Sequence, residues 1–210
     1  MRSLKVKGMK IGILGGTFDP VHRGHIAVAQ EAMRRLGLQK VIFLPTFRNP
    51  LKGSSHADAR HRAAMLRLAL KKRKGMELSL MELRKKEVAY SFDTVSTLLA
   101  RHPSWNLYFI IGMDSLQELH RWYRAKELVA KCTFVALERP GIQTPIKRVR
   151  GFTAAESERL LAHRLRGARL DIASTAIRSR VAQGRRIRYL VPAPVEQYIL
   201  KNGLYIGEKE

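Results

Sequence analysis

Short apolar runs recur along the chain, each followed by a longer stretch in which apolar and charged residues mix. The runs at 10–14, 41–44, 77–80, 107–111 and 133–137 read as strands, with 168–172 as a weaker sixth. Helical spacing fills the intervals at 26–36, 59–72, 91–101 and 125–131. In 59–72 the apolar stripe is Ala63, Leu66 and Leu70, with arginines and lysines at the other positions. Strands alternating with helices predict right-handed β-α-β units, hence an α/β, Rossmann-like open parallel sheet with helices on both faces. After residue 172 the pattern turns helical, with 174–183 closed by Gly184 and 194–202 closed by Gly203. Glycine just past a helix supplies its left-handed stop, so a small helical C-terminal subdomain is expected. On this reading 9–172 is the α/β body, 173–210 a helical portion of the same domain, and 1–8 a flexible extension. The basic, proline-containing stretch 140–150 is expected to be an exposed loop.

Composition changes this picture in two places. The chain of 210 residues carries 40 Lys+Arg against 17 Asp+Glu, a formal charge of +23. Such a field attracts polyphosphates, RNA or anionic surfaces. The basic clusters at 71–74, 84–86, 147–150 and 185–188 lack interleaved aromatics for base stacking, so they read as solvated faces and no specific nucleic-acid partner is expected. The single cysteine, Cys132, excludes an internal disulfide and speaks against a cysteine zinc site, which points to a reducing cytoplasm. No apolar run reaches the roughly 18 residues of a membrane span, so no membrane partner is expected. Residues 1–8 lack the apolar core of a secretory signal.

Candidate chemistry concentrates in Gly12–Ile–Leu–Gly–Gly–Thr–Phe–Asp–Pro–Val–His–Arg–Gly–His25. A strand runs into Gly15 and Gly16, then a turn, then His22 and His25 where a helix begins. Glycines let backbone N–H groups approach a phosphate, Thr17 adds a hydroxyl, and the two imidazoles reach the same anion from one side. Neither the dinucleotide G-x-G-x-x-G fingerprint nor a Walker loop is present. Zinc is a poor fit because no neighbouring Cys, Asp or Glu completes a ligand set. Polar motifs at 15–25, 45–52 and 112–114 each follow a strand end, where open parallel sheets bind their ligands. Ser174 opens a helix, so helix capping and phosphate binding call on the same N–H groups there.

Further segments complete an ordered set: Tyr90–Ser–Phe–Asp–Thr94, Ile110–Ile–Gly–Met–Asp–Ser–Leu116, Trp122–Tyr123, Arg139–Pro–Gly141, Ser174–Thr–Ala–Ile–Arg178 and Arg188–Tyr–Leu–Val–Pro192. With H-x-G-H at 22–25, this set resembles the bacterial nicotinate mononucleotide adenylyltransferases of the H-x-G-H nucleotidylyltransferase superfamily. The resemblance implies transfer of AMP from ATP to nicotinate mononucleotide, with Mg2+, giving deamido-NAD and pyrophosphate. It implies that His22 and His25 are catalytic and that Gly15, Gly16, Thr17, Phe18, Lys52, Gly112, Asp114, Ser174, Thr175 and Arg178 meet ATP. Tyr90, Ser91, Trp122, Tyr123 and Arg139 would meet the acceptor nucleotide; no protein metal ligands are expected, and a homo-oligomer is allowed but not required. The chain departs from the family pattern at Asn49–Pro–Leu–Lys52, where Pro-Pro-His-Lys is common, and at Ser91 and Ala173, where Thr and Ser are usual. The rivals are an adenylyltransferase for nicotinamide mononucleotide or phosphopantetheine, and a basic RNA-binding module on a nucleotide-binding fold.

Overall fold

The computed structural model describes residues 8–47, 55–85, 87–138, 146–166 and 172–207. Five of the expected strands and one unexpected one form a parallel sheet: β1 (Met9–Gly16), β2 (Lys40–Pro45), β3 (Met76–Leu78), β4 (Trp105–Gly112), β5 (Thr133–Glu138) and β6 (Arg164–Arg166). Their order is β3-β2-β1-β4-β5-β6, so the chain winds outward from β1 in one direction and from β4 in the other. The crevice between β1 and β4 is the switch point of such a sheet, where a ligand meets two diverging connections.

Strand alternation sorts side chains into two cores, because successive residues point to opposite faces. Leu14, Val41, Phe43, Ile110 and Val135 face one side, where they meet α1 (Arg23–Leu36), α2 (Ala59–Leu70), α8 (Ser174–Ala182) and α9 (Ala193–Lys201). Ile11, Ile13, Ile42, Leu44, Phe109 and Phe134 face the other, under α4 (Ser91–Arg101), α5 (Met113–Gln117), α6 (Ala125–Lys131) and α7 (Ala154–Leu161). Both faces of the central strands are apolar, as a doubly covered parallel sheet requires. α8 and α9 share the core of α1 and α2. Gly184 and Gly203 sit at φ 67° and 58°, in the left-handed conformation expected of helix stops. Among the described residues no helix is long and apolar enough to cross a membrane.

Four expectations need correction. The sixth strand of the sheet is Arg164–Arg166, an edge strand whose one apolar residue, Leu165, is buried, so no apolar run announces it. Residues 167–171 lie outside the described residues, and Ile172 is not in a strand. The short helices α3 (Met81–Lys85), α5 and α7 went unread. α7 did have a signal, since Thr153 and Glu156 form a reciprocal capping box. In the presumed exposed loop, 139–145 lie outside the described residues, but Ile146 and Val149 are buried. Finally, not every arginine of α2 is solvated: Arg62 is fully buried.

Candidate active site

α1 opens inside the H-x-G-H stretch. His22 is its N-cap, with extended backbone at φ −138°, and the His22 N–H donates to Nδ1 of His25 at 3.2 Å. In a neutral imidazole an accepting Nδ1 leaves the proton on Nε2, so His25 presents Nε2–H as a donor. The His22 and His25 rings stack at 3.6 Å between centroids, and the Phe18 ring meets His25 edge-on at 4.9 Å. Burial pushes His22 down to about 4; burial, then the charge of His22, holds His25 well below its usual 6.5. Both rings are therefore neutral donors and acceptors at pH 7, and a bound polyanion would draw protons toward them.

Gly24 is explained by the ring beside it. A Cβ there would stand 3.0 Å from Nδ1 and 3.1 Å from Cε1 of His22. Gly24→Ala is expected to push that ring off its stack and lower kcat about tenfold or more, since small misplacements of reacting groups are costly. The fold should not suffer, because alanine is the better helix former. Steady-state turnover beside a thermal melt checks both halves; wild-type kcat in a folded variant would contradict the account.

The β1 turn is held from below. The Phe18 backbone is left-handed at φ 51°, and its ring is buried against Gly16, where a Cβ would be 3.4 Å away. The Phe18 ring thus packs between Gly16 and His25. At the two strand ends flanking the switch point, a Cβ on Gly15 would find only the Phe109 ring, 3.9 Å away, and one on Gly112 would find nothing within 4 Å. Missing side chains here leave the crevice open. Asp114 is exposed in the first turn of α5, directly beyond β4.

Beneath the turn lies Arg62. Its Nη1 donates to the carbonyls of Thr17 and Thr46 at 2.8 Å each, its Nε to Ala57 at 3.2 Å and its Nη2 to Phe47 at 3.4 Å. Burial lowers the guanidinium from its usual range, offset chiefly by Asp19. Asp19 is itself buried, accepting from the N–H of His56 at 2.7 Å and from the Tyr205 hydroxyl at 2.7 Å. α8 is sewn to the same turn: Ser174 Oγ donates to the Pro20 carbonyl at 3.0 Å and Arg178 Nη1 to the Asp19 carbonyl at 2.9 Å. Those two side chains are committed to backbone, while the N-terminus of α8 has no side-chain cap. Thr175 is exposed in its first turn.

A second cluster forms on the other side of the sheet. Tyr90 is the N-cap of α4, which also lacks a side-chain cap, and Ser91 is the first residue of that helix. The Tyr90 ring lies 4.7 Å from that of Tyr123, with Phe92 6.2 Å from the latter. Trp122 packs edge-on against Phe109 of β4 at 6.0 Å.

Just behind, Glu82 of α3 is 6% exposed and accepts from Thr94 Oγ1 at 2.8 Å. Burial pushes its carboxyl up to about 7, against the Thr94 hydrogen bond and Lys85, which lower it. A folded pKa above the unfolded one favours the fold at low pH. That contribution is complete below 4.5 and is lost as pH rises through about 7. Glu82→Gln removes the titration, so its stability relative to wild type should rise by about 3 kcal/mol between pH 4 and pH 8. Denaturant melts of both proteins across that range check it; a constant difference would contradict the raised carboxyl.

Residues 13–180 match the cytidylyltransferase-like family model. The nicotinate-nucleotide adenylyltransferase of Bacillus subtilis is 36% identical over 199 residues, covering 93% of this chain and 98% of the relative. A Herpetosiphon aurantiacus protein named "Probable nicotinate-nucleotide adenylyltransferase" is 39% identical, covering 94% and 99%. The chain belongs to the nicotinate-nucleotide adenylyltransferase family. The fold agrees: the Plasmodium falciparum nicotinic acid mononucleotide adenylyltransferase complexed with NaAD superposes with a TM-score of 0.75 at 19% identity, covering 94% of this chain and 97% of that one.

For a nicotinate-nucleotide adenylyltransferase, the residues singled out in the sequence fall into two groups. Gly15, Gly16, Thr17, Phe18, His22, His25, Ser174, Thr175 and Arg178 converge on the β1–α1 turn and α8. Gly112 and Asp114 stand at the end of β4, across the switch point. Tyr90 and Tyr123 are brought into contact, with Ser91 and Trp122 adjoining them in the chain. Lys52 and Arg139 lie outside the described residues. Sequence reasoning missed Arg62, Tyr205, Glu82 and Thr94 as parts of the supporting architecture. One signal was available: Arg62 sits four residues before Leu66, on the apolar stripe of α2.

Proposed function

We propose that this enzyme transfers AMP from ATP to nicotinate mononucleotide, forming deamido-NAD and pyrophosphate. A phosphate oxygen of the acceptor attacks the ATP α-phosphorus, and the bond from that phosphorus to the oxygen bridging to the β-phosphate breaks. No covalent intermediate is required, so catalysis is positioning and charge stabilisation. The observation that carries the reading is the His22 N–H on Nδ1 of His25, which leaves Nε2–H as the donor in the first turn of α1, while Ser174 at the uncapped start of α8 is bound to the Pro20 carbonyl of the same β1–α1 turn. During displacement negative charge moves onto the departing pyrophosphate. His25 and His22, with the first-turn N–H groups of α8, would meet it as neutral donors that require no reorganisation.

Among the described residues no group of three or more His, Cys, Asp or Glu could hold a metal ion. Mg2+ would enter with the triphosphate, held by phosphate oxygens and water. In that form the ion neutralises phosphate charge. The net charge of +23 favours the approach of both anionic substrates.

The acceptor ring fits beside Tyr90, Trp122 and Tyr123, and its carboxylate fits the uncapped N-terminus of α4, where N–H groups and the helix dipole favour an anion. A carboxamide presents one acceptor oxygen where the carboxylate presents two charged ones. Pyrophosphate release measured in parallel with nicotinate mononucleotide, nicotinamide mononucleotide and phosphopantetheine tests this. The acid nucleotide should have the highest kcat/KM; preference for either other acceptor would overturn the substrate assignment.

A further inference from the structure

Glu82 and Thr94 belong to neither group of binding residues, and no step of the transfer uses them. Yet a carboxyl buried to this degree is costly unless it is paired, and an apolar residue would fill the same space without that cost. Oε1 of Glu82 accepts from the Thr94 hydroxyl, while Oε2 is buried with no hydrogen-bond partner among the described residues. Thr94 is 2% exposed, and its backbone N–H donates to the Tyr90 carbonyl at 3.1 Å. One residue thus grips Tyr90 through its backbone and Glu82 through its side chain. α4 has no side-chain cap at Tyr90, so its first turn lacks the usual anchor of a helix start. Thr94 and Glu82 hold that turn from behind, leaving its front free.

We propose that the buried Glu82–Thr94 pair is a staple that sets the acceptor-binding end of α4, making both side chains positioning residues for the acidic nucleotide. The inference rests on α4 as the nicotinate-binding end. Neither residue touches substrate; each acts through Tyr90 and the first turn. An affinity defect for one substrate alone is the signature of that role, because a general loosening of the fold would affect ATP as well.

Steady-state kinetics on the full chain, varying ATP and nicotinate mononucleotide separately, tests the staple. Thr94→Val, which removes only the hydroxyl at similar volume, should raise the acceptor KM about 5- to 10-fold, the worth of one hydrogen bond to a carboxyl group. The KM for ATP and kcat should change little, and Thr94→Ser should restore the acceptor KM. Glu82→Gln retains the accepting oxygen and should behave like Thr94→Ser, whereas Glu82→Ala should match Thr94→Val. Amide exchange at residues 91–93 should quicken in Thr94→Val, a readout independent of turnover and of whether Glu82→Ala folds. An unchanged acceptor KM in Thr94→Val, or an equal rise in both KM values, overturns the staple while leaving the activity intact. Absence of wild-type turnover on nicotinate mononucleotide overturns the assignment of the site, and the staple with it.

Discussion

Replacing His25 by alanine is expected to lower kcat by about 10²- to 10³-fold, the usual cost of deleting one preorganised donor to developing charge. The ring is poised by three contacts: the His22 N–H on Nδ1, the His22 ring stacked on its face, and the Phe18 ring at its edge. Because Nδ1 is occupied, the proton sits on Nε2 before substrate arrives, and no tautomer exchange is needed during the reaction. Stability should fall by only about 1 kcal/mol, since the change removes one partner of a helix-cap N–H. His25→Gln, which keeps an N–H donor on a flexible chain, should recover part of the loss. Single-turnover pyrophosphate release separates the chemical step from binding. A kcat within threefold of wild type for His25→Ala would remove the imidazole from the mechanism.

The second large effect lies out of reach of substrate. Arg62→Ala leaves the carbonyls of Thr17, Thr46 and Ala57 without their buried donor, and removes a cation that interacts with the buried Asp19. Each stranded acceptor costs about 1–3 kcal/mol, and loss of a buried charged partner typically totals about 3–5 kcal/mol. For a chain of this size that lowers the thermal midpoint by about 6–20 °C. Arg62→Lys keeps the charge but presents one ammonium where a fork of N–H groups now spans four carbonyls, so it should recover less than half of the loss. Turnover should fall with stability, because the guanidinium ties the end of β1 to the end of β2 and so shapes the floor under His25. Denaturant unfolding beside kcat for both variants measures this. A loss below about 1 kcal/mol would mean that water satisfies the carbonyls instead.

The two sites also differ in how they respond to pH. His22 and His25 are kept neutral by burial, so they remain donors across the neutral range. Glu82 changes charge near neutrality, and it does so behind the acceptor end of the site rather than among the phosphate-facing groups. A titration that touches stability and acceptor affinity, while sparing the imidazole pair, follows from that separation.

Much of this could be read along the chain. Ile11, Ile13, Leu14 and their equivalents in β2, β4 and β5 mark buried strands because alternate residues face two apolar layers. Gly24 between two histidines marks a position where a Cβ would crowd a ring, and Gly184 and Gly203 beyond helices mark left-handed φ. β6 is hard to read because Arg-Leu-Arg at a sheet edge offers a single apolar residue, leaving no pattern to detect. Arg62 was misjudged because helical spacing reports which face a residue occupies, not whether carbonyls await it there.

Local periodicity and turn chemistry by themselves determined the strands, the helix starts and the H-x-G-H turn, because these depend on neighbours a few positions away. Only the tertiary structure decided the order β3-β2-β1-β4-β5-β6, which puts Gly15 and Gly112 on opposite sides of one crevice. It also decided the partners of Arg62, which lie 45 and 16 residues away at Thr17 and Thr46, and the hold of Tyr205 on Asp19 across 186 residues. Such contacts form only when burial of two apolar faces has brought distant segments together, and no local pattern specifies which carbonyl a buried cation will meet.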